Sequence, residues 1–378
     1  MNSSMYQPSG HSSPNLLFLW PAFAAAAASE FSAEAAKQFA NLAAELDCAS
    51  AREPKWATEH TIAVELKTVR LRDFSTETTS PATLLCAPFA LHGASICDFA
   101  PGHSLVATLR GAGLRRLFVT DWRTATTDMR LLGIDQYLAD VNVLVDEIGG
   151  PVDLIGLCQG GWMALVYAAR FPAKVRSLVL AGAPVDIQAA PSALSELAHA
   201  TPLPVFQELV RIGDGIVPGA KVMKFWGTEA VEADDARRVL QTKETIGSAA
   251  FCALETQFKA WYAWTVDLPG NFFLEVVDKL YKRNELANGG FAALGRGIDL
   301  GTIRVPVFLL AAQDDELISP PQLFAAERLV GTAPSKLRKL VVPGRHVGLF
   351  MGKTVLEKAW PKIVQFITES QHNAAPLP

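Results

Sequence analysis

Cys158 stands in the run Gly156-Leu157-Cys158-Gln159-Gly160-Gly161, a thiol with a glycine two residues before it and another two residues after. That spacing suits a sharp strand-to-helix elbow, where a nucleophile is held in a backbone conformation that side chains on those flanking residues would obstruct. An apolar run, Val152 to Leu157, leads into the elbow as a strand, and a helical pattern from Gly161 to Arg170 leads out. At the start of such a helix, unpaired N–H groups and aligned peptide dipoles favour thiolate over thiol. The Gln159 N–H then faces the oxygen that turns negative when sulfur attacks a carbonyl. The plainer alternative is a cysteine that only packs; an acid and a histidine downstream, in the order an elbow nucleophile requires, weigh against it.

A nucleophile of this kind needs a base, and the base needs a group that orients it. The apolar run Val305 to Ala312 ends in Gln313-Asp314-Asp315-Glu316-Leu317-Ile318, and Lys339 to Val342 ends in Pro343-Gly344-Arg345-His346. Of the seven histidines, only His346 sits in such a post-strand loop; His60 opens a strand, His199 falls in a strand-free segment, and His11 and His372 lie near the chain ends. His92, beside Gly93, is the competitor for substrate contact, although packing is the commoner use of such a residue. Asp315 is preferred to Asp314 as the orienting acid because Leu317 and Ile318 then turn the chain back, leaving Asp314 as the alternative. A second oxyanion donor is expected from the loop after the strand Leu84 to Ala87, through the N–H of Phe89 or Ala90.

These residues need a scaffold that brings late loops over an early elbow. Leu84 to Ala87, Leu117 to Thr120, Val152 to Leu157 and Val175 to Ala181 are short apolar runs of the kind found in parallel strands buried on both faces. Helical stretches alternate with them, at Ser104 to Arg110, Asp135 to Ile148 and Gly161 to Arg170. His60 to Arg72 reads as a pair of exposed edge strands. From about Asp186 to Gly297 no strand signal appears, and the segment is helical and rich in aromatics. The strands then resume, with a helix from Gln322 to Val330 between them and another from Lys353 to Glu369. The expected class is α/β, an α/β-hydrolase fold with a mostly parallel central sheet flanked by helices and a helical cap insertion. Its parts are an N-terminal extension (1–50), a core (51–187 and 298–371), the cap (188–297) and a disordered tail (372–378).

Half of the 378 residues are hydrophobic, enough for a large core, and a net charge of −4 gives no electrostatic reason to expect nucleic acid. The five cysteines (Cys48, Cys86, Cys97, Cys158, Cys252) form no CxxC pair, which argues against a disulfide framework or a zinc site and favours a reducing cytoplasm. Cys86, Cys97 and Cys252 have apolar neighbours and read as buried fillers. Leu16 to Ala28 is apolar but contains Pro21 and is too short to span a bilayer. Phe31, Ala35, Phe39, Leu42 and Leu46 share one helical face, expected to dock on the body of the protein, with a polymer or lipid surface as the sharper alternative. No metal or redox cofactor is expected, because no His, Cys and carboxylate cluster has ligand spacing.

The same residues resemble the polyhydroxyalkanoate synthases, α/β-hydrolase-fold enzymes that use Cys, Asp and His to polymerise 3-hydroxyacyl-CoA. Gly156 to Gly161 resembles their G-x-C-x-G-G box, and Thr120-Asp121-Trp122 their D-W. Pro184-Val185-Asp186 is similar to a segment beyond their elbow, Trp264-Thr265-Val266-Asp267 to their W-x-x-D, and Leu280-Tyr281 through Asn284, Leu286 and Gly289 to their L-Y-x-x-N-x-L-x-x-G. The likeness runs from about Leu84 to Gly352 and implies triad roles for Cys158, Asp315 and His346. Departures fall at Glu316, where the family has His, and at Arg123 and Arg345, where it has Gly. The resemblance implies an acyl-CoA or polyester substrate, and it brings a granule-associated location and a homodimer into consideration. A thiol that takes an acyl group from a thioester keeps most of its transfer potential, which suits passage to a hydroxyl. A cysteine hydrolase (esterase, thioesterase or intracellular depolymerase) is the alternative, and a non-catalytic granule protein is a third reading.

Overall fold

A computed structural model describes residues 52–220 and 233–373. The expectations for Leu16 to Ala28, for the amphipathic run ending at Leu46 and for Cys48 lie outside the described residues.

Eight strands form one sheet: β1 (Thr61–Glu65), β2 (Val69–Asp73), β3 (Ala82–Cys86), β4 (Arg116–Trp122), β5 (Val152–Leu157), β6 (Val175–Ala181), β7 (Val307–Ala312) and β8 (Leu337–Val342). Their spatial order is β1-β2-β4-β3-β5-β6-β7-β8. The β1–β2 and β2–β4 pairs are antiparallel and all later neighbours are parallel. Every residue of β3, β5 and β7 is buried, which is why these strands read as unbroken apolar runs. Adjacent residues divide between two cores. Leu84, Leu154, Leu178 and Leu309 pack on one face, and Leu85, Ile155, Val179 and Leu310 on the other. Each such side chain contributes about 1.5–3 kcal/mol by leaving water.

Helix α1 (Leu105–Gly111) is capped by the Ser104 hydroxyl, which accepts the Ala107 N–H. Helix α2 (Ile134–Ile148) ends at Gly149 in the left-handed region, and α3 (Gln159–Arg170) starts directly at Cys158. Between β6 and β7 come α4 (Ala193–Ala200), α5 (Leu203–Ile212), α6 (Ala233–Leu240), α7 (Ala249–Ala263) and α8 (Gly270–Val276). A π-helical turn (Val277–Lys282) continues α8.

Several expectations need correction. Of the expected edge pair only β1 lies at the edge; β2 lies between β1 and β4 and is mostly buried, since Leu71 and Arg72 both face protein. The stretch expected to lack strands holds two ladders of two-residue strands, Ile216–Val217 with Leu268–Pro269 and Ala292–Ala293 with Arg296–Gly297, too short to leave an alternating signature. The expected helix Gln322 to Val330 is two turns, Pro320–Phe324 and Ala326–Leu329, and the last helix divides into α9 (Lys353–Lys358) and α10 (Trp360–Asn373). His372 belongs to α10, its Nδ1 2.6 Å from the Thr368 carbonyl, rather than to a tail. Cys252 is exposed on α7 instead of buried, because it occupies the solvent face beside the buried Phe251.

Candidate active site

Cys158 directly follows β5 with φ 47° and ψ −121°, a backbone conformation that L side chains seldom adopt. Its N–H donates to the Ala181 carbonyl at 2.9 Å, and its carbonyl accepts the Gly161 N–H at 2.8 Å, so strand and helix both hold the bend. The flanking glycines are sterically required. A Cβ on Gly156 would lie 2.5 Å from the Gly161 Cα, and one on Gly160 would lie 2.2 Å from the Cys86 carbonyl oxygen.

The loops after β7 and β8 are tied to each other. Gln313 N–H donates to Val342 O at 2.8 Å, and Asp314 N–H donates to Gly344 O at 3.0 Å. The side chain of Asp314 is exposed, whereas the Asp315 carboxylate is buried and accepts the Leu317 and Ile318 N–H groups at 3.0 and 2.8 Å. His346 Nδ1 lies 2.8 and 3.0 Å from the two Asp315 oxygens. This places Nδ1 as the donor and leaves Nε2 as the atom available to the thiol. The structure thus brings Asp315, and not Asp314, to His346.

Two observations bear on the third contact. Nε2 of His346 is buried without a hydrogen bond of ordinary geometry, while Cys158 is close enough to act on the ring electrostatically. A loose thiol–imidazole contact is the usual state of such a pair before substrate closes it. Burial alone would lower the basicity of His346, but the Asp315 carboxylate and the Cys158 sulfur outweigh it, and the imidazole is held well above its ordinary value.

Gly182, which did not emerge from the sequence, belongs to this arrangement. It has φ +56°, and a Cβ there would meet His346 Cε1 at 3.0 Å. Phe350 meets the same ring edge-on, with centroids 5.5 Å apart. The signal was available in the position: a glycine directly after β6, the strand next to the elbow.

The Gln159 side chain is occupied, donating to the Tyr281 hydroxyl and accepting from Trp162 Nε1 at 2.8 Å. Its backbone N–H, at the start of α3, and those of Phe89 and Ala90 have no acceptor among the described residues. The Phe89 ring is buried against Tyr137, Trp122 and Phe272. His92 does not join the Cys158 group; its ring stacks on Trp261 and lies 3.3 Å from the Trp264 carbonyl, and burial pushes the imidazole down to about 4.

Motifs outside the elbow act as joints. Asn284, with φ 50°, donates to Asp186 at 2.7 Å and accepts the Ile187 N–H at 3.3 Å, and Arg328 pairs with the second oxygen of Asp186. Asp267 accepts the Gly219 N–H at 2.9 Å. The residues at which the chain departs from the synthase pattern are likewise engaged. Arg123 reaches Leu66 O and Glu65 on the edge hairpin, Glu316 accepts the His346 N–H at 3.3 Å, and Arg345 approaches Asp235 of α6 at 3.8 Å.

The sheet order, the elbow after β5 and the loops after β7 and β8 define an α/β-hydrolase fold. A monoacylglycerol lipase from Paleococcus ferrophilus shares it, with a TM-score of 0.53, 15% identity, and coverage of 80% of this chain and 99% of the lipase. Closer in sequence are proteins named poly(3-hydroxyalkanoate) polymerase subunit PhaC. The chain is 27% identical to the one from Synechocystis over 285 residues, 72% of this chain and 74% of the relative, and 25% identical to the one from Allochromatium vinosum over 304 residues, 76% and 81%. Residues 234–371 also match the family model described as PHB de-polymerase C-terminus. The resemblance drawn from the motifs therefore extends over most of the chain.

Proposed function

We propose that this chain is a polyhydroxyalkanoate-synthase-like acyltransferase that forms an acyl-thioester on Cys158 from a 3-hydroxyacyl-CoA and passes it to a hydroxyl. The observation that carries this reading is the buried His346–Asp315 pair, its imidazole within the influence of the Cys158 sulfur at a glycine-flanked elbow. The names of the relatives support the substrate class.

In the first half-reaction the Cys158 sulfur attacks the thioester carbonyl, and the oxyanion takes hydrogen bonds from Gln159 N–H and from Phe89 or Ala90 N–H. The carbon–sulfur bond to CoA breaks, and His346 supplies the proton that leaves with the CoA thiol. In the second, His346 Nε2 accepts the proton of the incoming hydroxyl, whose oxygen attacks the acyl-thioester and releases the Cys158 sulfur. Asp315 orients the ring throughout and stabilises its protonated form. Exchange of one thioester for another preserves group-transfer potential, which a serine oxyester would not.

A second reading, a cysteine hydrolase in which water replaces the hydroxyl, is favoured by the match of residues 234–371 to a model described as a depolymerase segment. The two readings separate by product. With 3-hydroxybutyryl-CoA, release of CoA together with ester-linked oligomer is the expected result, whereas CoA release with free 3-hydroxybutyrate alone rejects transfer in favour of hydrolysis.

A further inference from the structure

The Thr120-Asp121-Trp122 run closes β4, one strand away from the elbow, and its two outer side chains converge on a single residue. The Thr120 Oγ1 accepts the Ala87 N–H at 3.0 Å, and Trp122 Nε1–H donates to the Ala87 carbonyl at 2.9 Å. Both side chains are buried, so neither bond competes with water. Asp121, between them, takes Nε and Nη2 of Arg72 at 2.9 and 2.6 Å, which fastens the end of β4 to β2.

Ala87 is the last residue before Pro88-Phe89-Ala90, the loop from which the second oxyanion donor is expected. It is also where that loop touches the elbow, because a Cβ on Gly160 would stand only 2.5 Å from the Ala87 carbonyl oxygen. The carbonyl gripped by the indole is thus one against which the nucleophile's helix closes. Beyond Ala87 the Phe89 ring stacks on Tyr137 with centroids 4.8 Å apart, and it lies 5.8 Å from the Trp122 ring itself. Trp122 therefore touches the loop twice, through its N–H before Pro88 and through its face after it.

We propose that Thr120 and Trp122 are positioning residues that set the height of the 88–90 loop over Cys158, and so the distance between the oxyanion donors and the reacting carbonyl. The proposal rests on the acyl chemistry assigned to Cys158 above. Neither side chain touches substrate. Their effect passes through the Ala87 backbone, and a shift of a few tenths of an ångström there weakens a donor whose full loss costs about 10²–10³ in rate.

The test separates reactions that build an oxyanion from one that does not. Trp122→Phe keeps a ring and deletes the N–H; Thr120→Val keeps the shape and deletes the acceptor, and Thr120→Ser restores it. For each, the rate of Cys158 acylation by 3-hydroxybutyryl-CoA and by the p-nitrophenyl ester of 3-hydroxybutyrate is compared with alkylation of Cys158 by iodoacetamide, followed on the Cys158 peptide so that Cys252 does not contribute. Direct displacement on iodoacetamide forms no oxyanion, so it reports the thiol–imidazole pair and the integrity of the fold. The expected result is an acylation rate about tenfold or more lower in Trp122→Phe and Thr120→Val, from kcat with KM nearly unchanged. Alkylation rate and its pH profile stay at parent values, and Thr120→Ser recovers acylation. Acylation at the parent rate in both variants, or acylation and alkylation falling in parallel, overturns the positioning role. Acylation of the parent by the ester but not by the CoA thioester rejects the CoA reading alone, and the variants are then compared with the ester. Absence of acylation from either donor rejects both.

Discussion

The Asp315 carboxylate holds His346 Nδ1 while Asp314 faces solvent, so the two adjacent acids should separate cleanly on substitution. Asp315→Asn is expected to lower turnover about a hundredfold or more by disturbing the tautomer of the ring, and Asp314→Asn to change it by less than about threefold; equal losses in steady-state assays would contradict the assignment. Thiol chemistry should be equally selective. Burial pushes the Cys86 thiol up to about 12 and Cys97 also upward, which keeps both inert. Cys158→Ala should abolish acyl transfer, and Cys252→Ala should leave it intact. The raised basicity of His346 has a stability consequence with a definite sign. Its ion pair stabilises the fold fully below the unfolded value of about 6.5 and fades as pH rises through the folded value. The drop in urea midpoint caused by His346→Gln should therefore be larger at about pH 6 than at about pH 9, and a larger drop on the alkaline side would be inconsistent with the pair. At this scale the positions of Cys158, His346 and Asp315 were legible because each occupies a fixed offset after a strand. Gly182 was not, since its role is to leave space for a ring that arrives from a loop some 160 residues later.

Among the elements, contacts between loops and helices carry the geometry, and these are what sequence patterns conceal. The parallel strands announce themselves as apolar runs because both of their faces are covered, whereas the alternation in β2 does not reveal that β4 lies beyond it. The joints between distant segments left only motif letters. Asn284 and Asp186 are 98 positions apart yet share a 2.7 Å bond, and Asn284→Ala should cost about 1–3 kcal/mol by leaving the Asp186 carboxylate short of a donor, measurable in a denaturant midpoint. Gln241, with φ 51°, performs a similar task for the histidine loop. Its Nε2 donates to Pro343 O at 3.1 Å and its Oε1 accepts the Val355 N–H at 3.2 Å, and the amide fills the space left by Gly344 and Gly352. The elbow lies against the end of β3 with no room for a side chain at Gly160. Gly160→Ala should suppress acylation and destabilise the fold by several kcal/mol, since backbone oxygens at 2.2 and 2.5 Å cannot rotate away; a stable, fully active variant would show that the loop and elbow are free to part.

For the molecule as a whole, the sheet, the elbow and the loops form a scaffold shared with lipases and esterases, and the scaffold alone does not decide which nucleophile receives the acyl group. The choice rests on sulfur at the elbow and on the likeness to polymerase subunits over most of the chain. Among the described residues no helix is long and apolar enough to cross a membrane. Tyr281 meets the Gln159 side chain from the segment inserted between β6 and β7, so the surroundings of the elbow are built by both the sheet loops and that insertion. The most direct test is mass spectrometry of the intact chain and its peptides after brief exposure to 3-hydroxybutyryl-CoA. Growth of one or more hydroxybutyryl units on the peptide bearing Cys158, removed by hydroxylamine and missing in Cys158→Ala, is the expected outcome; a chain that releases CoA with no adduct on that peptide, or that carries the adduct on another residue, would contradict covalent transfer through Cys158.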